Sequence, residues 1–143
     1  MSGLSKFLAL ALFNASLNPV RSAFAPPTGL YLALHTAAVD DSVYGSEASY
    51  AAYARQPLNS LVASTQAGAG AGDLDVLVTN GSALVFPAST SVAGQTISHW
   101  AIWDSEVVGD GNVLYSGALG SPRLIVLGDS VVVPENSLTV VIK

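Results

Sequence analysis

A chain of 143 residues has the length of one domain and can bury a core without staples, and the absence of cysteine excludes disulfides, thiol nucleophiles and Cys-based metal sites. Ten acidic residues against five Lys or Arg give a net charge of −5, and charged residues make up only 10% of the chain, against roughly a quarter of an ordinary globular domain. So sparse a charge predicts a surface partly covered by another protein, and the scattered cations Lys6, Arg21, Arg55, Arg123 and Lys143 exclude a nucleic-acid surface and a polybasic membrane patch.

Lys6 followed by the apolar run 7–13, with Ala23 and Ala25 downstream, imitates a secretory signal. The run is short, and Asn14, Asn18, Pro19 and Arg21 interrupt it, so the segment is expected to be retained; it is also well below the ~20 apolar residues that span a bilayer. Leu4, Phe7, Leu8, Ala11, Leu12 and Ala15 instead follow helical spacing, with Ser2 or Ser5 as cap and Asn18-Pro19 as stop, which predicts a helix within 1–18. Leu10 and Phe13 lie off that stripe. The helix is therefore apolar on more than one face and is expected to be buried on more than one side, in a subunit contact or as a plug on its own sheets.

Residues 29–35 have the length and apolar density of a strand buried on both faces. The stretch 37–52 reads as a long surface loop. A second strand is expected over 53–61, with Arg55 exposed or paired to an acid and Pro57 marking an edge. The Gly/Ala-rich run 66–72 reads as a flexible link, since it has neither the Lys nor the strand-to-helix context of a phosphate cradle. Strands follow at 75–79, 83–86, 96–103, 113–119 and 123–127, with apolar stretches at 130–133 and 137–142, separated by turns at Asn80-Gly81, Ala93-Gly94, Asp110-Gly111 and Gly128-Asp129. The fold class is all-β: one domain over 1–143, a mostly antiparallel, jelly-roll-like β-sandwich with one short N-terminal α-helix.

Reactive groups are few. His35 and His99 have no metal-ligand spacing and read as core or interface histidines. No G-x-S-x-G elbow singles out a serine. Asp40, Asp41, Asp73, Asp75, Asp104, Glu106 and Asp110 sit in or beside turns, where carboxylates bond local backbone, and no run supplies the six to eight oxygens that calcium takes. Trp100 and Trp103 should point to opposite faces of one strand. Either both are buried, one in the sandwich and one under the N-terminal helix, or Trp103 joins Tyr44, Tyr50 and Tyr53 in a sugar-stacking or protein-contact surface.

Five segments in order carry a resemblance: Pro26-Pro-Thr-x-Leu-Tyr-Leu-Ala-Leu-His35, Tyr53-Ala-Arg-Gln-Pro-Leu58, Leu84-Val-Phe-Pro-Ala-Ser89, Ile97-Ser-His-Trp-Ala-Ile-Trp-Asp104 and Asn112-Val-Leu-Tyr-Ser-Gly-Ala-Leu119. With the N-terminal helix before them, they resemble a family of small tailed-bacteriophage virion proteins often labelled tail-fibre proteins. The resemblance implies a β-sandwich subunit of the virion with no catalytic residues, although the chain lacks the repeats and heptads of a long fibre. The expectation is a non-enzymatic structural protein without cofactor or metal, a homo-oligomer bound to other virion proteins, either major capsid or tail proteins, as a capsid decoration (cement) protein or a tail-fibre-type protein. Leu4, Phe7, Leu8, Ala11, Leu12 and Trp103 are the candidate interface residues. The competing readings are a carbohydrate-binding, receptor-recognising module of the tail and, with His35 or His99, a hydrolase.

Overall fold

The computed structural model describes residues 3–17, 25–39, 46–70, 72 and 74–142. Along these run β1 (Gly3–Leu4), α1 (Lys6–Ser16), β2 (Tyr31–His35), β3 (Gln56–Pro57), β4 (Leu61–Ala67), β5 (Leu74–Asn80), β6 (Leu84–Val85), β7 (Gln95–Trp103), β8 (Val113–Ile125), β9 (Val132–Val133) and β10 (Thr139–Ile142). Strands pair in the orders β1-β8-β7-β2-β3, β10-β5-β4 and β6-β9, every pair antiparallel. The expected all-β class with one short helix is what the described residues form.

β2 lies between β7 and the edge strand β3, and its alternation organises the two faces of the sheet. Leu32 and Leu34 lie opposite Ile102 and Trp100 of β7 and face the main core, which Leu114, Ile125, Phe86 and Val140 complete. That core draws on the five-stranded sheet and on β10 of the three-stranded one, and each fully buried Leu or Ile contributes about 1.5–3 kcal/mol. On the reverse face, Ala33 lies opposite Ala101, and a smaller cluster forms with Trp103 and Val113. Both faces of β2 are thus covered, which is why its sequence is apolar without alternation.

The 96–119 hairpin forms as expected, with Gly109 and Gly111 at φ 82° and 86° in the connection and Asp104 Oδ1 accepting from the Asn112 backbone N–H at 2.6 Å. Its second arm is longer than the sequence predicts. Gly120-Ser121-Pro122 was expected to separate two strands, yet β8 runs continuously to Ile125, because β7 is long enough to pair with both halves. From Ile97 opposite Arg123 to His99 opposite Ala118, β8 spends extra residues in an irregularity that holds the turn-like tripeptide.

Two other strand boundaries move. The strand expected at 53–61 shrinks to Gln56–Pro57, and a seven-residue strand follows at Leu61–Ala67, pairing with β5 from Leu61 opposite Asn80 to Ala67 opposite Leu74. Every residue of β4 is exposed, so no period-2 burial pattern marks it in the sequence. Gln66 and Ala67, the first residues of the expected Gly/Ala-rich link, belong to that strand. In the expected loop 37–52, positions 40–45 lie outside the described residues, while Glu47, Ala48 and Tyr50 are buried and Glu47 bridges to His35.

Candidate functional site

Three places gather side chains that chemistry or binding could use. The first lies on the reverse face of β2. Arg55 and Glu47 form a two-pronged ion pair, Nε to Oε1 and Nη2 to Oε2, each 2.8 Å. Both side chains are out of solvent. Arg55 Nη1 donates to the carbonyls of Ser105 and Asp110 at 2.7 and 3.0 Å, and its Cζ lies 4.2 Å from the ring centroid of Trp103. The Tyr53 hydroxyl donates to Glu47 Oε1 at 3.1 Å and accepts from the Leu34 backbone N–H at 3.0 Å. Burial, first of all, pushes the Tyr53 hydroxyl pKa well up.

His35 completes this cluster. Trp103 Nε1 donates to His35 Nε2 at 3.3 Å, which leaves Nδ1 as the protonated nitrogen facing Ser46 Oγ at 3.1 Å. Burial lowers the His35 pKa from 6.5 to about 4; Glu47 opposes that shift, while Arg55 and His99 add to it. The imidazole is therefore neutral at neutral pH. His99 stands directly opposite His35 across β2 and β7, a convergence that sequence spacing did not reveal. Ser98 Oγ donates to the Thr36 carbonyl at 2.9 Å and lies 2.8 Å from His99 Nδ1, so its proton is already committed to backbone. No buried side-chain polar atom among the described residues lacks a partner, and no three His, Asp or Glu residues gather to hold a metal. The Arg55–Glu47 pair with Tyr53 ties the 46–56 segment to the 105–110 connection and to β2.

The second place is a groove of about 320 Å³ beside the β8 irregularity, with Leu32, Leu34 and Trp100 among its lining, Leu119 and Ser121 on one side and Val131 and Leu138 on the other. It is chiefly apolar. The third is α1. Ser5 caps it, accepting from the Leu8 N–H at 3.2 Å, and its own N–H donates to the Leu114 carbonyl at 2.9 Å, so the β1 pairing and the cap together set the helix against β8. At the other end the Leu17 N–H donates to Phe13 O at 2.8 Å. Within the helix, only Leu8 is buried.

The candidate residues part company here. Leu8 and Trp103 are covered by the chain itself, Trp103 at 2% exposure, against Arg55 and His35. Leu4, Phe7 and Leu12 are exposed and Ala11 is half-buried. The most exposed apolar residues on the helix face opposite Leu8 are ones that the stripe left out: Leu10 at 60%, Phe13 at 48%, and Leu17 just past the end at 74%. Tyr50 is buried, Tyr53 is half-buried against Phe86, and Tyr44 lies outside the described residues, as do Asp40, Asp41 and Asp73. Trp103, Tyr50 and Tyr53 therefore do not form the sugar-stacking surface of the competing reading.

An apolar helix laid on a β-rich domain accords with what comparison finds. The sequence matches the family described as podophage GP4 fiber I protein gp80 over residues 3–141. The chain belongs to that family. The resemblance to tail-fibre-type virion proteins thereby holds over nearly the whole length, and the chain is a fibre-type structural protein of the phage virion. No curated protein matches it. Among the described residues no helix is long and apolar enough to cross a membrane.

Proposed function

We propose that this fibre-family protein is a non-enzymatic subunit on the tail side of the particle, and that it attaches to other virion components through the outer face of α1. The observation that carries the reading is the exposure of Phe7, Leu10, Phe13 and Leu17 on a helix whose own domain buries only Leu8. Together with Leu4 these side chains expose on the order of 500 Å² of apolar surface, taking a full aromatic side chain as roughly 200 Å². That is at the upper end of what a monomer leaves uncovered.

The fibre name of the family favours the tail over a capsid decoration. Deleting residues 1–18 should leave a soluble β domain that is missing from assembled particles; occupancy equal to the intact chain would overturn the role of α1. Copy number separates the placements, because a head lattice takes on the order of hundreds of subunits and a tail only a few to tens under its lower symmetry. A count in the hundreds would reject the tail.

A further inference from the structure

The irregularity in β8 builds one wall of the apolar groove. Between the pairing of Ile97 with Arg123 and that of His99 with Ala118, residues 119–122 stand against Ser98 alone, so this stretch bows off β7. Leu119 and Ser121 of the bowed stretch face Val131 and Leu138 across a space of about 320 Å³, with the buried Leu32 and Trp100 beneath. No carboxylate lines it, and its single charged side chain is Arg123. Arg123 is unlike the buried arginine on the reverse face. Arg55 is committed to Glu47, two backbone carbonyls and Trp103, whereas the exposed Arg123 side chain has no hydrogen bond, ion pair or ring contact among the described residues.

We propose that the groove binds a single aliphatic chain ending in an anionic group, of the fatty-acid class, with the chain over Trp100 and the head on Arg123. Size supports one chain: at ~30 Å³ for each water-sized or methylene-sized group, the space of about 320 Å³ holds about ten of them. Polarity supports an aliphatic body. A peptide or a sugar would bring hydrogen-bonding groups at every unit into a chiefly apolar slot, at a desolvation cost that a hydrocarbon avoids. Charge supports the anion, because the chain as a whole carries −5 and repels one, so a local preference has to come from Arg123, the one cation of the lining. No residue of α1 lines the groove, so this site is separate from the attachment face and does not depend on it.

Decanoate, titrated into the full-length protein below its micelle concentration and followed by NMR, is the probe. It should bind with a Kd on the order of 1 mM, as the efficiency of an ordinary small ligand allows. The amides of Leu119, Ser121 and Val132 and the indole of Trp100 should shift, while the indole of Trp103, on the reverse face beside Arg55, should not. Octanoate, shorter by two methylenes, should bind roughly tenfold more weakly. Decylammonium should bind the intact protein less well than decanoate does. Arg123→Gln removes a side chain without partners, so the fold should stay intact while decanoate weakens by about fivefold and loses its advantage over decylammonium. No response at about 10 mM decanoate, shifts spread beyond the lining, or an affinity unchanged in Arg123→Gln would each overturn the proposal.

Discussion

Arg55 and Glu47 meet in parallel hydrogen bonds of 2.8 Å beneath Tyr53 and over Trp103, eight residues apart in sequence and both closed to solvent. The third guanidinium nitrogen, Nη1, donates to two backbone carbonyls of the 105–110 connection, those of Ser105 and Asp110. The pair therefore joins three segments that share no strand pairing with one another. Removing one partner leaves a buried charge without compensation, so Arg55→Met should cost about 3–5 kcal/mol, whereas Arg55→Met with Glu47→Leu should recover most of that loss. Urea unfolding of the single and double variants measures both, and an additive double variant would refute the coupling.

The same cluster makes stability depend on pH through His35. Burial keeps its folded pKa at about 4 against 6.5 in an ordinary setting, so between these values the unfolded chain binds the proton that the folded chain refuses. Stability is complete above about pH 6.5 and falls as the pH drops toward 4, by about 3 kcal/mol for a shift of this size. His35→Gln should flatten that part of the profile while lowering the plateau. Midpoints of thermal unfolding between pH 7 and pH 4 report the difference.

These two relationships show where sequence reasoning stops. The hairpin around Asp110-Gly111, the doubly buried β2 and the opposite faces of Trp100 and Trp103 were legible, because they follow from local turn chemistry and period-2 alternation. Glu47 was not, since it lies in a stretch whose polar composition reads as surface, and only the tertiary fold brings it to Arg55. The helix was legible as apolar on two sides, but which side the domain uses depends on the cap at Ser5 bonding to Leu114, a contact more than a hundred residues away. β4 escaped because an edge strand exposed throughout has no burial to leave a pattern.

Gly117 illustrates a constraint of a different kind. It pairs with Trp100 across β7 and β8, and a Cβ added there would stand 2.7 Å from the indole Cζ2. Gly117→Ala must displace a ring that belongs to the main core and lines the groove, at about 1–3 kcal/mol, the usual cost of overpacking. The emission spectrum should shift with it, since Trp100 would lose its seat while Trp103 stays under Arg55. An unchanged spectrum and unfolding midpoint would mean that the core yields at this point.

Asn80 supplies the last test, at the end of β5. Its Nδ2 donates to the Ser82 and Pro134 carbonyls, both at 2.8 Å, and its Oδ1 accepts from the Leu138 N–H at 2.9 Å. One fully buried amide thus closes the Asn80-Gly81 turn and pins the start of the C-terminal strand to it. Asn80→Leu keeps similar bulk but strips these partners, and each buried group left unsatisfied costs about 1–3 kcal/mol. The loss should be local first: the Leu138 amide, protected from hydrogen exchange by this one bond, should exchange faster in the variant than the amides of β7, which keep their ladder to β2 and β8. Equal acceleration everywhere would mean that the pin acts on the whole domain at once, and no acceleration at Leu138 would mean that water replaces the side chain at no cost.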